Sequence, residues 1–213
     1  MRTITLKSCL ALALMTGLMG CANDDINSDL GHRSLAITDG TVEAAGVLAL
    51  LNHSETTERF LDDVVRLDSR AAKSIVNHRN GADGQHGTQD DSPFQSIDEA
   101  DGLYWVGPKT LERLETYATV KGFLPGPFDV LGSWEGIELL VWEVEAIVDA
   151  ANLLDNQTLD TTVGLDARAA RSLVTNRPFD SINGVVDAYY VGPSNLGKLL
   201  RFVRDSPIYA FEM

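Results

Sequence analysis

From Thr41 onward, apolar residues recur at the spacing of helices that bury one face. The first such stretch runs from Thr41 to Leu51. Ser54 is placed to cap a second, which turns Phe60, Leu61, Val64 and Val65 inward. Asp68 or Ser69 caps a third, with Ala71, Ala72, Ile75 and Val76 on one side. Ser96-Ile97-Asp98-Glu99 has the form of a capping box and opens another helix. Gly107-Pro108 ends the following turn and starts a new helix, since proline suits the first helical position. Leu111, Leu114 and Ala118 continue the buried stripe.

The same devices are then written a second time. LDSRAAKSIVNHR is matched by LDARAARSLVTNR, and FQSIDEADGLYWVGPKTLERL by FDSINGVVDAYYVGPSNLGKLL. Leu67 aligns with Leu165 and Gly107 with Gly192, the first copy being longer by one insertion between Arg79 and Phe94. In the second copy Ala169, Ala170, Leu173 and Val174, then Leu196, Leu199 and Val203, form the stripe. A repeat of this kind defines architecture before any other signal.

Lys121 to Gly136, rich in glycine and proline, is expected to be a linker. Ile137 to Leu154 is expected to be one apolar helix packed in the interior; its Glu138, Glu143, Glu145 and Asp149 argue against a membrane span. No segment has a strand pattern, so the expected class is all-α. The expected division is residues 1–20 as a leader, 21–40 as a polar tether, 41–120 as the first unit with an inserted loop over 80–93, 121–136 as linker, and 137–213 as the second unit.

The leader combines Arg2 and Lys7 with a short apolar run from Ser8 to Met19, too short for a comfortable bilayer span. It ends in Leu18-Met19-Gly20-Cys21, which resembles the bacterial lipobox. That resemblance implies cleavage before Cys21, lipid on that cysteine, and a membrane anchor. Ala22 after the cysteine implies the outer membrane. Cys9 lies in the leader, so the mature chain would hold no disulfide. The chain has a formal net charge of −14, which repels phosphate at long range and disfavours broad attraction to nucleic acid or anionic lipid.

Each copy resembles the paired helix-hairpin-helix module of the competence DNA-receptor (ComEA-like) family, over about Leu50–Ala118 and Asn152–Val203. Arg177-Pro178-Phe179-Asp180-Ser181 with Val191-Gly192-Pro193, and Val106-Gly107-Pro108-Lys109-Thr110-Leu111, carry the likeness. It implies two tandem helix-hairpin-helix units and extracytoplasmic capture of DNA, with turn N–H groups aimed at phosphate. Gly107, Lys109 and Gly192, with Arg70, Lys73, Arg168 and Arg171, would be the contacts. The first glycine of the family's turn is Trp105 in one copy and Tyr190 in the other. Leu67-Asp68-Ser69 and Leu165-Asp166-Ala167 place a carboxylate in the earlier turn.

Arg70, Lys73 and Arg79 recur as Arg168, Arg171 and Arg177, either as a solvated face paired with acids or as a phosphate-binding stripe. In the insertion, Asp83, Asp90 and Asp91 alternate with glycines, a pattern that fits either a polar loop or oxygen ligands for calcium. His32, His53, His78 and His86 form no zinc signature. Tyr104, Trp105, Tyr189 and Tyr190 are expected to pack in the core or the hairpin, with contact anchors as the alternative. No nucleophile elbow, phosphate loop or dinucleotide fingerprint is present. The expectation is a non-catalytic envelope protein that makes protein contacts, with DNA binding as the alternative.

Overall fold

The computed structural model describes residues Ile37–Tyr209; the leader, Cys21 and most of the tether lie outside them. Helix α1 (Val42–Asn52) begins at Thr41, whose hydroxyl accepts the Ala44 N–H at 3.2 Å and replaces a missing helical acceptor. Short α2 (Glu58–Asp63) starts from Thr57, not Ser54. Thr57 stands one residue ahead of the helix, so its hydroxyl can reach the Phe60 N–H. α3 (Ser69–Arg79) is capped by Asp68, α4 (Ile97–Asp101) by Ser96, and α5 (Pro108–Lys121) follows Gly107.

The second copy repeats this order. α6 (Val141–Leu153) is followed by one wide turn at Thr158–Thr162, then by α7 (Ala167–Thr175), α8 (Ile182–Val186) and α9 (Pro193–Asp205). Asp166 caps α7 as Asp68 caps α3, and Gly192 precedes α9 as Gly107 precedes α5. All described residues fall within one compact unit. No helix among them is long and apolar enough to cross a membrane.

The expectation of an all-α chain is corrected between the copies. β1 (Val130–Trp134) pairs antiparallel with β2 (Ile137–Leu140), so the protein is mostly helical with one small sheet. Glu135 and Gly136 both have left-handed φ, 53° and 77°, the geometry of a two-residue hairpin turn. The helix expected from Ile137 therefore starts only at Val141. Trp134 fixes the hairpin in place: its indole N–H donates to Asn183 Oδ1 at 2.6 Å, a contact between residues far apart in sequence.

Two apolar cores correspond to the two copies. Leu50, Leu51, Leu61, Ile75 and Leu114 are buried in the first, and Ile147, Leu159, Leu173, Ile182 and Leu199 in the second. The expected stripes hold at most positions. Val64 is a correction at 51% exposed, because α2 ends at Asp63 and its last turn leaves that side chain in solvent. Val76 is half-buried and Val174 lies at the surface. The tether's last residues belong to the fold. Asp39 Oδ1 accepts the Ile97 N–H at 2.7 Å, and a Cβ on Gly40 would meet Asn183 and Ile182 at about 3 Å.

Two pairs of polar residues hold the repeated skeleton. The Asn52 amide donates to Phe94 O at 2.9 Å and accepts the Phe94 N–H at 2.8 Å. Asn152 does the same with Phe179, at 2.9 Å both ways. Arg79 is only 2% exposed and donates to Leu51 O at 3.0 Å and His53 O at 2.9 Å. Arg177 donates to Ala151 O and Leu154 O. Each guanidinium thus closes the carbonyl end of its copy's first helix, where backbone acceptors lack partners and positive charge is favoured. Burial pulls both arginine pKa values down from their usual level. These two arginines are corrected from an exposed basic face to structural ties.

Candidate functional site

Four of the interhelical turns, two in each copy, share one backbone design. In each, a residue with left-handed φ precedes an apolar residue, and a helix N-cap follows. The first turn of each copy is Arg66-Leu67-Asp68 or Gly164-Leu165-Asp166; the second is Trp105-Val106-Gly107 or Tyr190-Val191-Gly192. The φ values are 68° and 78° in the first pair and 74° and 70° in the second. Glycine adopts that conformation without penalty, whereas a side chain there costs on the order of 1–2 kcal/mol. Both second turns nevertheless carry a large aromatic, and the residue expected to be conformationally special, Gly107 or Gly192, has ordinary extended φ.

The aromatics are not core residues. Tyr104 is 76% exposed, Trp105 49%, Tyr189 79% and Tyr190 58%. Trp105 and Tyr190 stand on left-handed backbone and Tyr104 and Tyr189 precede them, while the adjacent Val191 is buried and Val106 half-buried. This overturns the expectation of core packing; within each hairpin the rings lie against each other. Tyr104 and Trp105 lie edge to face with ring centres 4.9 Å apart, and Tyr189 and Tyr190 are 6.5 Å apart.

The cations predicted on α3 and α7 meet these rings. The Arg70 guanidinium lies 3.8 Å from the Trp105 ring centre, and that of Arg168 lies 5.0 Å from Tyr190. The two copies differ in how far their acid neutralises the cation. Arg70 makes a two-pronged contact with Asp68, Nε to Oδ1 and Nη2 to Oδ2, both at 3.0 Å. That side-chain bond, helped by the Arg70 backbone N–H, lowers the Asp68 carboxyl from the usual carboxylate range to about 2. Arg168 keeps its Nε 3.5 Å from Asp166 Oδ1, and its backbone N–H is the first cause of the lowered Asp166 pKa.

Both aspartates therefore place a carboxylate on the helix N-terminus where an anion would otherwise be favoured. Lys73 and Arg171 are exposed, and among the described residues neither makes an ion pair. Lys109 is exposed in the first turn of α5; Ser194 holds its place in α9. Beside α7, Arg168, Arg171, Ser172, Thr175, Tyr189 and Tyr190 line an open groove of about 520 Å³.

The insertion is folded on its own carboxylates. Asp90 Oδ2 accepts the Ala82 and Asp83 N–H groups at 2.7 and 3.1 Å, and its Oδ1 accepts the Thr88 hydroxyl at 2.8 Å. Asp91 Oδ2 accepts the Gly87 N–H at 2.6 Å, and Asp83 Oδ1 that of Gln85 at 2.8 Å. The Thr88 and loop N–H bonds hold the Asp90 pKa below the usual range. Gly81, at φ 67°, lies so close to Asp90 that a Cβ would sit 2.2 Å from its carbonyl oxygen. Of the two readings of the insertion, this geometry is that of the polar loop, with Asp83, Asp90 and Asp91 acting as acceptors for loop donors. No group of three or more metal-binding side chains is assembled among the described residues.

The capping box at Ser96 is half formed. Ser96 accepts the Glu99 N–H at 3.1 Å, but Glu99 reaches back to the Gln95 N–H at 2.8 Å and to His78 Nε2 at 2.9 Å. A more informative buried carboxylate is Glu143, which accepts the Leu140 N–H and pairs with Arg204 Nε at 2.6 Å, joining the start of α6 to the end of α9. In the sequence Glu143 stands out only as an interruption in an apolar helix, and nothing local marks Asn52 and Asn152. The spacing from Asn52 to Leu67 differs from that between Asn152 and Leu165, so a fixed-offset reading of the repeat does not align them. Comparison with protein-family models, with curated proteins and with solved structures returned no match for this chain.

Proposed function

We propose that the chain is a non-catalytic binding or scaffold protein of the bacterial envelope. Lipid on Cys21 anchors it, with the outer membrane as the destination, and tandem helix-hairpin-helix units present it to a protein partner. The observation that carries this reading is the pair of exposed aromatic turns, Tyr104-Trp105 and Tyr189-Tyr190, each with one ring on a left-handed backbone. Strained residues retained in both copies of a repeat point to a role outside packing, and exposed Tyr and Trp are the common anchors of protein interfaces.

The runner-up is DNA capture outside the cytoplasm, favoured by Arg168, Arg171 and two tyrosines along one groove. Against it stand the carboxylates of Asp68 and Asp166 at the helix N-termini and the net charge of −14.

Two measurements separate the readings. Photo-crosslinkers placed at Tyr104 and Tyr189 in cells should capture an envelope protein, a crosslinker at exposed Arg59 should not, and capture should fail in the Trp105→Ala, Tyr190→Ala double variant. Anisotropy with labelled duplex DNA should show no binding at low salt. Binding that weakens with salt and with Arg168→Ala plus Arg171→Ala would replace the protein-contact reading with the DNA one.

A further inference from the structure

Building on the protein-contact reading, we propose that the groove beside α7 takes an acidic peptide segment of the partner, with a carboxylate on Arg171 and an aromatic side chain against Tyr189. The two copies contain equivalent positions but not equivalent chemistry. In the first, Asp68 holds the Arg70 guanidinium by both prongs and Trp105 covers it, so its hydrogen-bonding fork is already engaged. In the second, Arg168 meets Asp166 only at 3.5 Å, and Arg171 has no carboxylate within 4 Å among the described residues.

The first copy's counterpart of Arg171 is Lys73, a point charge that cannot offer two parallel N–H donors to a carboxylate. The planar fork of Arg171 can, and such charge-assisted pairs are the strong ones. Ser172 and Thr175 add hydroxyls along the same wall, and the Tyr189 and Tyr190 rings close the other side of a volume of about 520 Å³. That is room for side chains of an extended segment.

Charge selects the occupant. The groove is locally cationic on a chain whose formal net charge is −14, so it complements a carboxylate at close range while the surrounding field opposes a dense polyanion. A duplex brings one phosphate charge per about 1.7 Å of its axis into that field. A peptide with a few carboxylates brings far less, and its aromatic residues use the exposed tyrosines.

The experiment is an anisotropy titration of the lipid-free chain with a fluorescein-labelled peptide of alternating glutamate and tyrosine. A lysine–tyrosine peptide and a labelled duplex serve as competing probes. The glutamate–tyrosine peptide should bind and the other two should not. Arg171→Ala should weaken it about tenfold, the loss expected for one charge-assisted pair. Arg171→Lys should weaken it as well, because the charge remains but the fork does not. Lys73→Ala should leave binding within about twofold, as an exposed charge elsewhere would. Both positions are exposed, so unchanged melting temperatures will certify the fold.

Absence of peptide binding, or binding indifferent to Arg171→Ala, overturns the proposal; so does duplex binding with the same Arg171 dependence. Crosslinking from Tyr189 that survives in Arg171→Ala would overturn the acidic-peptide assignment alone. Loss of crosslinking at every aromatic turn in the native chain would remove the reading on which it rests.

Discussion

Arg79 and Arg177 do one job in two places, each tying the carbonyl end of its copy's first helix, whereas Arg70 and Arg168 occupy matching positions and face different surroundings. Arg79 is buried and Arg177 half-buried, where an unmet backbone carbonyl is expensive and any departure costs stability. The second pair faces water, where ion pairs contribute little and sequence is free to change. Asn52 and Asn152 follow the first pattern; Lys73 and Arg171, or Trp105 and Tyr190, follow the second. The copies teach which residues hold the skeleton: those that repeat their hydrogen bonds as well as their identity.

The strongest way to break this comparison is in the cores. Leu114→Ala and Leu199→Ala remove buried twins and should each cost about 2–5 kcal/mol in chemical denaturation. A cost confined to one of them would show that the two cores do not contribute alike. Next come the ties. Arg79→Met and Arg177→Met each strand carbonyls at a helix end, and about 3 kcal/mol should be lost in either. Asn52→Ala and Asn152→Ala should follow at about 2 kcal/mol, one backbone N–H and one carbonyl being left unmet in each case. If the costs within any of these pairs differ by more than about twofold, the skeleton is not equivalent in the two copies.

Smaller effects sharpen the surface side. Trp105→Gly and Tyr190→Gly relieve a left-handed side chain but add backbone freedom to the unfolded chain. The net should be a gain within about 1 kcal/mol, with crosslinking lost. A large destabilisation would return the aromatics to a packing role.

The smallest effects concern pH. Asp68 is depressed to about 2, so its contribution is present above the unfolded carboxylate range and is lost as pH falls through about 2. Asp68→Asn should therefore lower the melting temperature at pH 7 and leave it unchanged at the acid end. Glu115 has the opposite sign. Partial burial, with Glu43 and Glu112 nearby, raises its pKa, so its favourable state is the protonated one and is lost as pH rises. Glu115→Gln should raise the melting temperature at neutral pH, and an equal change at low pH would contradict the assignment.

Much of the helical order was readable in advance, since buried stripes such as Leu111, Leu114 and Ala118 need only a period and a cap to be seen. The hairpin was not. Its strands are short, its turn is Glu-Gly in place of the commoner Asn-Gly or Asp-Gly, and Trp134 is held by Asn183, a partner invisible to any local window. At the candidate site, the right residue types were legible but their placement was not. Nothing local in Tyr104-Trp105 distinguishes a ring that packs inward from one turned out by a left-handed backbone.

Sequence by itself determined the duplication, the apolar faces, the Gly-Pro helix starts and the acidic balance, because each depends on neighbours within a few residues or on a simple count. Tertiary structure alone decided that Arg79 and Arg177 tie helix-end carbonyls, that the loop aspartates accept from their own loop, and that Arg171 lacks the acid that occupies Arg70. The physical reason is common to all three. A charged side chain's role depends on which carbonyl, carboxylate or solvent surrounds its far end, and that environment is assembled only when distant segments meet.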